Sequence, residues 1–239
     1  MFYRKAVSFL TVLAITVFAA LPLAAKSGDK PNSRVIAPLN LAILIQDDLT
    51  SQVGNELGVT KDFIRALPAG SRVMVGYITS GTLQVRQPFT GDLDQAARSL
   101  RIPAASTSRS PYNPYVEVIE ALKKFDSNLK GVNAVLLISD GLDVSRGFDS
   151  TSAGRTLDLE RSIREANKRN VAIYTFYAPS VGLTSHSHLA ASYGQSSLNR
   201  LANDTGGKAF FQGTTGFVTF DSYFQRLRQT LNEQYARAS

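Results

Sequence analysis

The chain has 239 residues, 44% of them apolar, which suits one ordinary domain with a hydrophobic core and excludes a disordered chain. Cysteine is absent, which excludes thiol catalysis, cysteine-held metals and disulfide staples. The net charge of +7 arises from 26 basic and 19 acidic residues spread without a dense run; it describes a solvated surface, and no nucleic-acid partner is expected.

Arg4 and Lys5 precede an uncharged, mostly apolar run from Ala6 to Ala25, with Pro22 and small residues near its end. That layout predicts a signal peptide over residues 1–25, cleaved after Ala25 with Leu23 and Ala25 at the selective positions. The competing reading is an N-terminal membrane anchor, since the run nearly suffices to span a bilayer. Cleavage removes Arg4 and Lys5 and no acid, so the net charge falls from +7 to +5. Residues 26–38 read as a polar leader, and residues 39–239 as a single domain.

Leu41 to Ile45 is an unbroken apolar run and predicts a strand, Asn40 to about Gln46, buried on both faces. It breaks into Gln46-Asp47-Asp48-Leu49-Thr50-Ser51. A helix follows from about Asn55 to Leu67, stopped by Pro68 and Gly70. Arg72–Thr79 is a second strand. Ser80-Gly81 signals a turn into an antiparallel edge strand, Thr82–Gln87, and Pro88 suits an edge. Asp92 caps a short helix to Leu100, and a Ser/Thr loop runs from Ala104 to Ser110. Pro111 and Pro114 open a helix with Tyr115, Val118, Ile119 and Leu122 on one face.

Asn133–Ser139 is a third buried strand, ending in Asp140-Gly141. After a Ser/Asp/Gly loop to Gly154, Asp158–Arg169 is an amphipathic helix with its acids early and its bases late, as the helix dipole favours. Val171–Tyr177 is a fourth buried strand. The stretch Ala178–Tyr193 reads as a long polar loop, and the pair His186 and His188 in it as solvated rather than metal-binding. A helix from Ser196 to Asn203, the turn Gly206-Gly207, a short strand Lys208–Gln212 and a C-terminal helix with Tyr223, Phe224, Leu227 and Leu231 on one side complete the chain. Alternating strands and amphipathic helices predict an α/β fold: a Rossmann-like, doubly wound, mostly parallel six-stranded sheet with one antiparallel edge strand and helices on both faces.

Polar groups at the C-terminal ends of such strands sit where open sheets bind ligands. A dinucleotide site needs a glycine-rich turn after the first strand, and the one glycine, Gly54, comes too late. A phosphatase of the haloacid dehalogenase type carries Asp-x-Asp-x-Thr there. Asp48 and Thr50 match, but Gln46 stands at the nucleophile's position, and an amide cannot be phosphorylated as a carboxylate is. That alternative is a haloacid-dehalogenase-like phosphatase or an inactive relative lacking the Asp nucleophile; the leading reading expects no enzymatic activity.

The strand and helix order, Leu137-Ile138-Ser139-Asp140-Gly141, and Leu201-Ala202-Asn203-Asp204-Thr205-Gly206-Gly207 resemble the von Willebrand factor type A family, in its VWFA-related exported bacterial form. The resemblance covers about Asn40 to Leu231. It implies an adhesion-type, non-enzymatic domain that binds another protein in the cell envelope or outside the cell. It also implies a divalent cation held by Asp-x-Ser-x-Ser after the first strand, a loop hydroxyl and a later Asp. Such a hard cation takes oxygen ligands, Mg2+ or Mn2+ here. The first motif is not intact in any register: Gln46, Asp48 and Thr50 fill its places, or Asp47, Leu49 and Ser51, or Asp48, Thr50 and Gln52. The metal set the resemblance implies is Asp48, Thr50, Ser110 and Asp140.

Overall fold

Leu39–Gln46 forms the central strand β1, and all eight of its residues are buried. In the computed structural model the described residues are 37–105, 113–126, 131–147, 156–212 and 219–238, with side chains described as far as 234. They belong to one compact unit, Asn32–Ser239. The expected signal peptide, nearly all of the leader, and Ser110 lie outside the described residues.

The elements follow in the expected order. After β1 come α1 (Gln52–Asn55), α2 (Leu57–Arg65), β2 (Arg72–Thr79), β3 (Thr82–Thr90), α3 (Leu93–Arg98), α4 (Pro114–Leu122) and β4 (Val132–Ser139). Then come α5 (Leu157–Lys168), β5 (Ala172–Tyr177), α6 (Leu183–His186), α7 (His188–Asp204), β6 (Ala209–Phe210) and α8 (Asp221–Ala238). The strands form one six-stranded sheet in the order β3-β2-β1-β4-β5-β6. All neighbours are parallel except β2 and β3. This is the expected α/β architecture.

Strand periodicity divides the core into two layers. Leu39, Leu41, Ile43 and Ile45 face α2, α3 and α8, while Ala42 and Leu44 face α4, α5 and α7. Helices therefore cover both faces, which is why β1, β4 and β5 read as continuous apolar runs. The C-terminal stripe is buried as expected: Tyr223 and Phe224 pack with Phe220 around Phe176, ring centroids 4.9–5.4 Å away. Arg226 lies over the rings of Phe210 and Tyr223. Caps match sequence chemistry: Asp92 accepts from the Gln95 N–H, Asn113 from Tyr115 and Thr156 from Leu159.

Three local expectations need correction. The expected helix Asn55–Leu67 is α2, Leu57–Arg65, and a further short helix, α1, precedes it. The antiparallel strand runs three residues further, to Thr90, with Pro88 inside it on the sheet edge. The expected loop Ala178–Tyr193 contains α6 and the first turns of α7, which begins at His188 behind the cap Ser187. Both histidines are thus at helix ends, and both are exposed. Among the described residues no helix is long and apolar enough to cross a membrane.

Candidate functional site

The sheet order reverses between β1 and β4. One half winds outward from β1 to β3, the other from β4 to β6, so a crevice opens at the C-terminal ends of β1 and β4. The loop after β1 closes over this crevice. Leu49 pairs antiparallel with Ser180 beyond β5, Thr50 N–H donates to the Pro179 carbonyl, and Val181 N–H donates to the Asp48 carbonyl. The loop therefore passes above the end of β4, where Asp140 lies.

Adjacent aspartates point to different surroundings. Asp47 belongs to the β2 side. Its carboxylate accepts from both terminal guanidinium nitrogens of Arg101 (2.6 and 2.8 Å), from Ala104 N–H (2.9 Å) and from the Thr79 hydroxyl (3.0 Å). Burial alone would raise its pKa, but these donors outweigh burial and hold the pKa below the ordinary value. Arg101 in turn lies 4.1 Å over the Tyr77 ring, and the Tyr77 hydroxyl donates to its carbonyl. Asp47 is a clamp for the segment before the Ser/Thr loop.

Asp48 belongs to the crevice and is half-buried. Burial and repulsion from Asp140 push its pKa up to about 6, against a hydrogen bond from Gln46 that favours the charged form. Asp140 is buried; its Oδ1 accepts from Leu142 N–H at 3.1 Å and its Oδ2 from the Thr184 hydroxyl at 3.3 Å. The Thr50 hydroxyl is buried with no hydrogen-bond partner among the described residues. Of the four expected ligands, the structure brings Asp48, Thr50 and Asp140 to this one edge, and Ser110 lies outside the described residues.

Gln46 joins the two strands. Its amide oxygen accepts from the Ser139 hydroxyl (2.6 Å) and from Asp140 N–H (3.1 Å), and its amide nitrogen donates to Asp48 Oδ1 (2.7 Å). An amide oxygen has two lone pairs, and both are engaged. The donor set therefore fits a divalent cation poorly. Gln46, where the resemblance implies a carboxylate, presents an N–H to the crevice, and its oxygen is committed elsewhere. Among the described residues no three His, Asp or Glu side chains converge as metal ligands.

Three supporting residues give no local sequence signal. Arg101 lies 54 residues from Asp47, and Thr184 lies 44 from Asp140. Gly194, inside α7, lets that helix rest on the end of β4: a Cβ there would stand 1.9 Å from the Asp140 carbonyl oxygen.

No family model matches the chain, and no curated protein matches its sequence. Among solved structures the fold is similar to that of the conserved hypothetical protein BatB from Bacteroides thetaiotaomicron. The TM-score is 0.56 at 12% identity, covering 83% of this chain and 99% of that one. It is also similar to an aerotolerance-related membrane protein from Bacteroides fragilis carrying multiple mutations to serines. There the TM-score is 0.56 at 11% identity, covering 82% and 99% of the two chains. At such identities the likeness is one of fold.

Proposed function

We propose that this chain is a non-enzymatic interaction domain of the von Willebrand factor type A kind, which binds a partner protein across the C-terminal edge of its sheet. The observation that carries this reading is where the exposed apolar side chains lie. Of seven large ones among the described residues, six are on that edge: Ile102, Val116, Leu157, Leu183, Leu189 and Phe211. Val116, Leu157, Leu183 and Leu189 lie in the first turns of α4, α5, α6 and α7, Phe211 directly follows β6, and Ile102, between α3 and α4, lies against Gly54 of α1. Leu157 is 74% exposed, Ile102 62% and Leu189 54%. Scattered exposed apolar residues are ordinary; that six of the seven fall on one edge supports a contact surface there.

The position of a nucleophile is taken by Gln46, tied to three neighbours, which supports a binding role over a catalytic one. The charged start, apolar run and small residues at Ala24-Ala25 support export, with cleavage near Ala25 and a retained anchor as the alternative. The partner is then a protein of the cell envelope or the exterior.

The test is capture by cross-linking from the envelope and secreted fractions of the source cells. Wild type is compared with Ile102→Glu, Leu189→Glu and, on the far edge strand, Val85→Glu. The expected result is one captured species lost with the first two variants and kept with the third. Equal capture by all four chains would remove the edge from the reading.

A further inference from the structure

We infer that the Gln46 carboxamide stands in for the divalent cation at this edge, so that the interaction surface is assembled, and engages its partner, without metal. The inference rests on the interaction reading above and specifies how that site is held. A carboxylate at position 46 would put a third acid beside Asp48 and Asp140 and would supply no donor. Such a set is stable only around a cation. Glutamine changes both terms: it removes one negative charge and presents an N–H to Asp48 Oδ1 at 2.7 Å. Its oxygen takes the Ser139 hydroxyl and the Asp140 N–H. The loop after β1 is thereby linked to the end of β4 through one side chain, the linkage that a bridging ion makes through its coordination shell.

The surrounding bonds agree. Both oxygens of Asp140 accept donors from the chain itself, the Leu142 N–H and the Thr184 hydroxyl. The loop is also fixed from above by its pairing to Ser180 and Val181, which needs no ion. Asp47 is bound to Arg101 and does not turn to the crevice to replace the missing ligand.

The experiment uses the purified full chain, with calorimetric titration of Mg2+ and Mn2+ and thermal unfolding in EDTA or in millimolar metal. Wild type is expected to give no binding heat and the same Tm in both conditions. Gln46→Leu, which keeps the bulk and removes the amide, is expected to melt about 3–6 °C lower in both. Gln46→Asp is expected to melt lower in EDTA and to be raised by either metal, because metal binding to the native state alone stabilises it. Saturable heat in wild type that disappears in Asp140→Ala would overturn the inference, as would an unchanged Tm for Gln46→Leu. If Gln46→Asp does not fold, the wild-type titration and Gln46→Leu still decide. A metal-binding wild type would leave the interaction reading intact, since that reading is tested by Ile102→Glu and Leu189→Glu.

Discussion

Asp47 and Asp48 are neighbours in sequence with different roles. Side chains at adjacent positions leaving a strand point to opposite sides, so one carboxylate meets Arg101 and the other meets Asp140. Asp47→Ala would leave the Arg101 guanidinium without its partner and free the segment before the Ser/Thr loop. A loss of about 3 kcal/mol in urea unfolding is expected, as for breaking a largely buried pair. The bonded carboxylate has a lowered pKa, so its contribution is present above the ordinary carboxylate range and fades as pH falls through that lowered value.

Glu117 on α4 behaves oppositely. It is buried against β3; burial, and after it the nearby Glu120, push its pKa up to about 7. The fold then holds a proton that the unfolded chain releases near 4.5, so Glu117's contribution to stability is fully present below that value and is lost as pH rises through about 7. Glu117→Gln is expected to remove that decline and to be more stable than wild type by about 1–2 kcal/mol at pH 8. Urea titrations at pH 5 and pH 8 read the difference. Asp48 adds a slope of the same sign, but it is complete near pH 6, so the change above pH 6 belongs to Glu117.

Among the elements, α7 diverged most from its sequence. Its buried residues are Ala190, Ala191, Gly194, Gln195, Ser197, Leu198, Leu201 and Ala202, so its inner face is small and polar rather than an apolar stripe. A pattern reading therefore sees a polar loop to Tyr193 and a helix only from Ser196. Smallness is what the packing needs, because α7 lies directly on the turn after β4. Gly141, at φ 76°, meets Gly194 there: a Cβ on Gly141 would stand 2.4 Å from the Gly194 carbonyl oxygen. Gly194→Ala is expected to improve helix propensity and still to destabilise the domain by about 2–3 kcal/mol through overpacking. Chemical denaturation decides: an unchanged or higher midpoint would show that the helix moves off without penalty.

At the scale of the whole molecule, the proposed contact edge depends on topology. The order β3-β2-β1-β4-β5-β6 puts all five parallel strand ends on one edge and reverses direction between β1 and β4. Loops from distant parts of the chain meet there, so Ile102, Leu157 and Leu189 share an edge though they are far apart in sequence. Because these side chains are exposed, Ile102→Glu and Leu189→Glu are expected to change folding stability by no more than about 0.5 kcal/mol. Matching unfolding curves for wild type and variants would tie any loss of capture to lost contact. A large drop in stability would mean that the residues serve the core.

The sequence by itself determined the class of fold, the strand order along the chain and the position of the edge strand. Those follow from local facts: unbroken apolar runs mark doubly buried strands, and Ser80-Gly81 and Pro88 mark a hairpin at an edge. Set against the patterns it resembles, Gln46 also stood where a carboxylate is expected, which argued against covalent catalysis. The sequence named Asp48 through the resemblance but left the register of Asp47 and Asp48 open, because that depends on Arg101 and Asp140, which are distant in the chain and adjacent only once the sheet is built. It gave no sign of Gly194 or Thr184, for the same reason. Nor did it show that the amide of Gln46 carries bonds to both strands. A hydrogen-bond network across a crevice is a property of packed elements, and only the tertiary structure decided it.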